Sequence, residues 1–192
     1  MHDDESWQAF SERVAYDGHP YAAAEPFEAV PDAVAKYNER NLHVLRALLS
    51  LYERKPEGNA DDESPLTQEL QRMDSKLNVL LDMIDRMLMP VDLLPARQPV
   101  RFNAVGAVLP ESLLPPGDSL LLRLHFDICR AMPLEIPARR GRSVGDGKVF
   151  ACFLGVSEMV QDGLERFVFC HHRRKVAEAR LLASGENVSG SR

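Results

Sequence analysis

Residues 66–88 read LTQELQRMDSKLNVLLDMIDRML, and within them Leu66, Leu70, Met73, Leu77, Leu80, Ile84 and Met87 are spaced alternately four and three apart without a break. A repeat of 3.5 residues lays one apolar stripe along a helix and marks a helix built to pack on other helices. In this register Leu70, Leu77 and Ile84 take a positions, and Leu66, Met73, Leu80 and Met87 take d positions. The flanking e and g sites are polar in the first half (Thr67, Glu69, Asp74, Lys76) and apolar in the second (Leu81, Met83, Leu88). A two-stranded coil leaves e and g partly wet, so apolar residues there predict that more than two helices meet near the C-terminal end. The alternative is a stripe packed on the chain's own core, since three heptads lie at the lower limit for a coiled coil.

This helix is bounded on both sides. Pro65 suits a first helical turn with Ser64 or Asp62 as its cap, and Met89-Pro90 ends it, because proline lacks the N–H needed to continue. Upstream, Lys55 to Ser64 (KPEGNADDES) carries Pro, Gly, Asn and four acids, the composition of a solvated connection. Before it, Val34, Tyr37, Leu42, Leu45, Leu48, Leu49 and Tyr52 mark one face of a first long helix over 33–54, with Asp32 as its cap. Residues 1–30 mix Trp7, Phe10, Tyr16, Tyr21 and Phe27 with Asp, Gly and Pro, which predicts an irregular or extended segment docked on a core.

Beyond Pro95 the period falls from 3.5 to 2. Leu120, Leu122, Leu124, Phe126 and Ile128 alternate with Leu121, Arg123, His125 and Asp127, a half-buried strand. Val100 and Phe102 open an earlier strand, and Leu134, Ile136 and Ala138 mark a later one in which Pro133 and Pro137 argue for a sheet edge. Gly145-Asp146-Gly147 is a turn signal before a strand over 149–156. Short strands with polar turns imply an antiparallel sheet or barrel. Ser157 caps a final helix whose buried face holds Val160, Leu164, Phe167, Val168 and His171.

The 192 residues, 45% hydrophobic and 27% charged, can bury a core and allow one domain plus an oligomerisation element. A net charge of −6 supplies no general attraction to nucleic acid or an anionic membrane. No apolar run is long enough to span a membrane, and the start MHDDESWQAF lacks the basic-then-apolar pattern of a signal peptide, which places the protein in the cytoplasm. Cys129, Cys152 and Cys170 are odd in number and lack CxxC spacing, so they read as reduced thiols. Cys170-His171-His172, with His125, are metal-ligand types, yet helix neighbours point about 100° apart and cannot share one ion, so no metal is expected. Arg139-Arg140-Gly141-Arg142 and Arg173-Arg174-Lys175 read as solvated basic faces. There is no P-loop, dinucleotide glycine motif or nucleophile elbow, and the carboxylates cluster in linkers, so no enzyme is expected.

In the C-terminal half, PVRFNAVGAVL, then a Leu-rich strand after a Pro-Gly-Asp turn (PPGDSLLLRLHF), then FLGVSEMVQDGLERFVFCHHRR resemble a PilZ domain, and in particular the atypical, tetramer-forming branch that carries long helices. The resemblance implies an α+β fold: a six-stranded antiparallel β-barrel with a C-terminal helix over 95–180, plus heptad-repeat helices over 31–89 forming an oligomeric coiled coil. Residues 181–192 remain as a flexible tail. It also implies a role in bacterial cyclic di-GMP signalling.

PilZ receptors use an RxxxR pair and a [D/N]xSxxG motif. Two guanidiniums clamp phosphates and stack on guanine faces, while the acid or amide and the hydroxyl bond base edges. Aligning Gly106 with the motif's glycine puts Asn103 at the serine position and Arg101 at the acidic one, so the charge is reversed there. Arg97 and Arg101 keep RxxxR spacing but overlap the second motif. They read either as solvated arginines at a strand entrance or as an altered clamp.

The expectation is therefore a non-enzymatic adaptor, a homotetramer that works through an unidentified protein partner, with little or no binding of cyclic di-GMP and no cofactor. A genuine cyclic di-GMP receptor using Arg97 and Arg101, and a plain coiled-coil scaffold, are the alternatives.

Overall fold

A computed structural model describes residues 2–52 and 65–189. In chain order the elements are α1 (His2–Ser11), β1 (Tyr16–Gly18), β2 (Tyr21–Pro26), α2 (Pro31–Tyr52), α3 (Pro65–Leu88), β3 (Val100–Phe102), β4 (Gly106–Pro110), β5 (Ser119–Phe126), β6 (Cys129–Gly145), β7 (Lys148–Phe153) and α4 (Glu158–Ser189). The solvated connection expected over 55–64, with the caps Asp62 and Ser64, lies outside the described residues.

The strands form one antiparallel sheet in the order β1-β3-β4-β7-β6-β5-β2. Among the described residues it has seven strands, where six were expected, because residues 1–30 supply two of them. β1 pairs with β3 at one edge and β2 with β5 at the other, and only His19-Pro20 separates β1 from β2. The Gln98 N–H donates to the Pro20 carbonyl at 3.0 Å and the Ala22 N–H to the Ala96 carbonyl at 3.2 Å, so the chain before β3 also holds the start of β2. The N-terminal segment thus brings the two sheet edges together. Its first part is the helix α1, not the irregular segment expected. Trp7 and Phe10 pack on Phe150, with ring centroids 5.3 and 5.1 Å away.

β5 is buried on both faces, Leu121 and His125 included, where alternation predicted a half-wet strand. β6 is paired with β5 over its first half and with β7 only from Ala138 on, so the edge predicted from Pro133 and Pro137 exists locally within an interior strand. The β6–β7 turn follows its glycines, with positive φ at Asp146 and Gly147 in a two-residue hairpin closed by Gly145 and Lys148.

α2 begins at Pro31, with the Val34 N–H donating to the Val30 carbonyl at 3.0 Å. Asp32 therefore lies inside the first turn, favourable to the helix dipole, and does not cap it. α2 and α4 cover the main core, which holds Leu45, Leu48, Leu122, Leu124, Ile136, Leu164 and Phe167. They approach closely at Gly163, where a Cβ would lie 2.9 Å from Leu45 Cδ1. Ser157 Oγ accepts the Val160 N–H at 3.4 Å, the expected cap, and α4 then runs to Ser189, so that residues 181–189, expected to be a flexible tail, continue the helix.

Candidate functional site

α3 is the first candidate. It is held to the body through Asp85, its one buried residue among the described residues. Asp85 Oδ1 accepts the Ala131 N–H at 2.7 Å and Oδ2 accepts Arg130 Nε at 3.2 Å. Asp85 lies one residue past Ile84, outside the a/d stripe, so this docking leaves the stripe open. Leu66, Leu70, Met73, Leu77, Leu80, Leu81, Ile84, Met87 and Leu88 are all exposed, from 49% at Ile84 to 80% at Met87. A contiguous apolar face of this length is the mark of an interaction surface. Among the described residues, the chain's own core does not cover the stripe. Below the C-terminal half of α3, an apolar groove of about 470 Å³ is lined by Leu51, Leu81, Ile84, Leu88, Cys129 and Met132 among others. Burial, then the nearby Asp85 carboxylate, pushes the Cys129 thiol up, which keeps it in the inert protonated form.

The residues aligned with the nucleotide motif do not converge. Arg97 lies over the Tyr21 ring, 4.1 Å from its centroid, and pairs with Asp127 at 2.5 Å while donating to the His19 carbonyl at 2.9 Å. The Asp127 hydrogen bond pushes its pKa up and fixes the guanidinium as a cation. Arg101 faces α1, with its guanidinium 5.6 Å from the Phe10 ring centroid. Asn103 is buried: Nδ2 donates to the Phe10 carbonyl at 2.9 Å and Oδ1 accepts the Val105 N–H at 2.9 Å. That second bond is an Asx turn. Gly106 is required by packing, since a Cβ there would lie 2.4 Å from the Ala151 carbonyl oxygen. α1 thus covers strand positions that the motif would use.

A third feature was only partly legible. A cleft of about 600 Å³ opens where the β1–β2 link, the β5–β6 turn, the end of α2 and the middle of α4 meet. Arg97, Arg174, Lys175, His19, Asp17 and Asp127 are among its walls, with Tyr16, Tyr52, Phe126 and His171. The sequence flagged Arg173-Arg174-Lys175 as a basic spot, but only the fold brings it to Tyr52 and to the β1–β2 link. Among the described residues no cluster of His, Cys, Asp and Glu could hold a metal, and no helix is long and apolar enough to cross a membrane.

Comparisons with known proteins agree with this architecture. The family model described as "Atypical PilZ domain, cyclic di-GMP receptor" matches residues 45–181. A crystal structure of a pathogenic protein from Xanthomonas campestris, described as a new tetrameric PilZ domain self-assembled via an unusual helical bundle, matches with a TM-score of 0.61 and 24% identity, covering 91% of this chain and 97% of that one. At that identity the likeness is one of fold. No curated protein matches the chain.

Proposed function

The chain belongs to the atypical PilZ domain family, and from that premise we propose that it is a non-enzymatic protein of cyclic di-GMP signalling, a homotetramer assembled through α3 that acts by contacts with other proteins. The open apolar face of α3 carries this reading. Each a or d side chain buried between chains contributes roughly 1.5–3 kcal/mol, and seven of them in one helix have no comparable outlet within the monomer. Apolar Leu81, Met83 and Leu88 beside the stripe favour more than two helices. The Xanthomonas campestris protein, described as tetrameric through a helical bundle, lends the tetramer further support.

Binding of cyclic di-GMP at positions 97–106 is weak or absent on this reading. Arg101 carries the wrong charge for the acid's role, the Asn103 amide is used by Phe10 and Val105, and α1 lies over the strand. The rival reading, a receptor with an altered clamp, is favoured by the family's description as a cyclic di-GMP receptor and by the exposure of Arg97 and Arg101.

Light scattering of the purified chain is the first test. A mass four times the 21.6 kDa of one chain is expected, and a mass of one chain sinks the assembly. Calorimetry with cyclic di-GMP decides between adaptor and receptor.

A further inference from the structure

The cleft beside α4 shares no residue with the α3 face, and of the residues aligned with the nucleotide motif only Arg97 lines it, while Arg101, Asn103 and Gly106 lie elsewhere. Its floor is aromatic. The rings of Tyr16 and His171 are 4.3 Å apart, Tyr16 meets Phe126 edge-on at 5.6 Å, and Tyr52 meets His171 edge-on at 6.4 Å. Its rim is basic in a chain whose net charge is −6, with Arg97, Arg174, Lys175 and His19 set against two carboxylates, Asp17 and Asp127. Asp127 is already held by Arg97, and Lys175 Nζ is steadied by the Asp17 carbonyl at 3.1 Å, one acceptor for an ammonium with three N–H donors.

We propose that this cleft binds a ligand of mononucleotide size, with a planar ring against the Tyr16–Tyr52–His171 floor and a phosphate between Arg174 and Lys175. Arg174 and Lys175 both line the cleft, and their long flexible side chains, unlike the short imidazoles of adjacent histidines, can bend from neighbouring helix positions toward one anion. A tetrahedral phosphate accepts from several directions at once, whereas a carboxylate offers its oxygens in one plane. The volume of about 600 Å³ lies within the range of small-ligand sites. Burial pushes the Tyr16 phenol far above its usual pKa, so its hydroxyl stays a hydrogen-bond donor. Gly18 keeps room for that hydroxyl, since a Cβ there would lie 2.6 Å from it.

The test uses the full chain with GMP and AMP as probes, and guanosine, adenosine and inorganic phosphate as the separated parts, read by calorimetry and by chemical shifts. At least one nucleotide is expected to bind more tightly than either of its parts. Arg174→Ala and Lys175→Ala, both at exposed positions, should each weaken it about tenfold with an unchanged melting temperature. Arg101→Ala should leave it unchanged. The proposal is overturned if neither nucleotide binds at millimolar concentration, if phosphate alone binds as tightly, or if the α4 variants bind like the wild type. A subunit mass measured beside each titration keeps this outcome separate from that of the assembly through α3.

Discussion

The side-chain amide of Asn41 bonds both backbone groups of Glu135: Oδ1 accepts the Glu135 N–H at 2.9 Å and Nδ2 donates to the Glu135 carbonyl at 2.8 Å. Alternate N–H groups along a strand point the same way, so Pro133, Glu135 and Pro137 face one side of β6, and the two prolines offer no donor there. α2 thereby supplies through one side chain what a neighbouring strand would supply. The Glu135 carboxylate in turn accepts Arg123 of β5 at 2.9 Å and Arg40 of α2 at 3.1 Å.

Asn41→Ala should therefore cost roughly 2–4 kcal/mol, because two buried backbone groups lose their partners together. Urea unfolding measures it. A loss under about 0.5 kcal/mol would mean that water replaces the amide.

On the α3 face, Leu77→Asp with Leu80→Asp places unpaired carboxylates in the centre of a helical bundle, at several kcal/mol per chain. Light scattering should show dissociation while circular dichroism keeps its β-sheet signal, since both residues are exposed in the single chain. Loss of the sheet signal without a change in mass would contradict the assignment of this face.

For cyclic di-GMP, losing two base-edge contacts of roughly 1–3 kcal/mol each predicts a dissociation constant weaker than about 100 μM. Low-micromolar binding by calorimetry, abolished by Arg97→Ala and by Arg101→Ala, would establish the altered clamp instead.

Alkaline pH offers a separate probe of the core. Burial first, and then the nearby Tyr52, raise the Tyr16 pKa above its ordinary 10.0. The folded chain then retains a proton that the unfolded chain has lost, so stability is full below about pH 10 and falls as pH rises beyond it. Tyr16→Phe should flatten this slope in urea melts between pH 9 and 11. An unchanged slope would show that Tyr16 ionises freely in the folded state.

The long elements were legible from their apolar spacing: the α4 face at Val160, Leu164 and Phe167 is buried as that spacing requires, the α3 stripe marked a helix that one chain leaves exposed, and β5 was found as a strand although both of its faces are buried. α1, β1 and β2 were not. YAAAEP has little intrinsic strand preference, and Tyr21–Pro26 is a strand because Leu120–His125 lies beside it. Asn103, aligned to a ligand-binding serine, bonds the N–H two positions on, a local pattern available from Asn alone. The cleft by α4 joins residues from five separate stretches of chain, and no one-dimensional pattern carries that.

The position of β1 and β2 at opposite edges of one sheet has a consequence for biosynthesis. β1 and β2 leave the ribosome well before their partners, Val100–Phe102 and Ser119–Phe126, and must wait for them before they can be placed. The local hairpins β5–β6 and β6–β7 are then the natural nucleus, and the N-terminal segment is a latecomer with long loops to close. Until it docks, a nascent chain carries two unpaired strand edges, each a template for the edge of another copy.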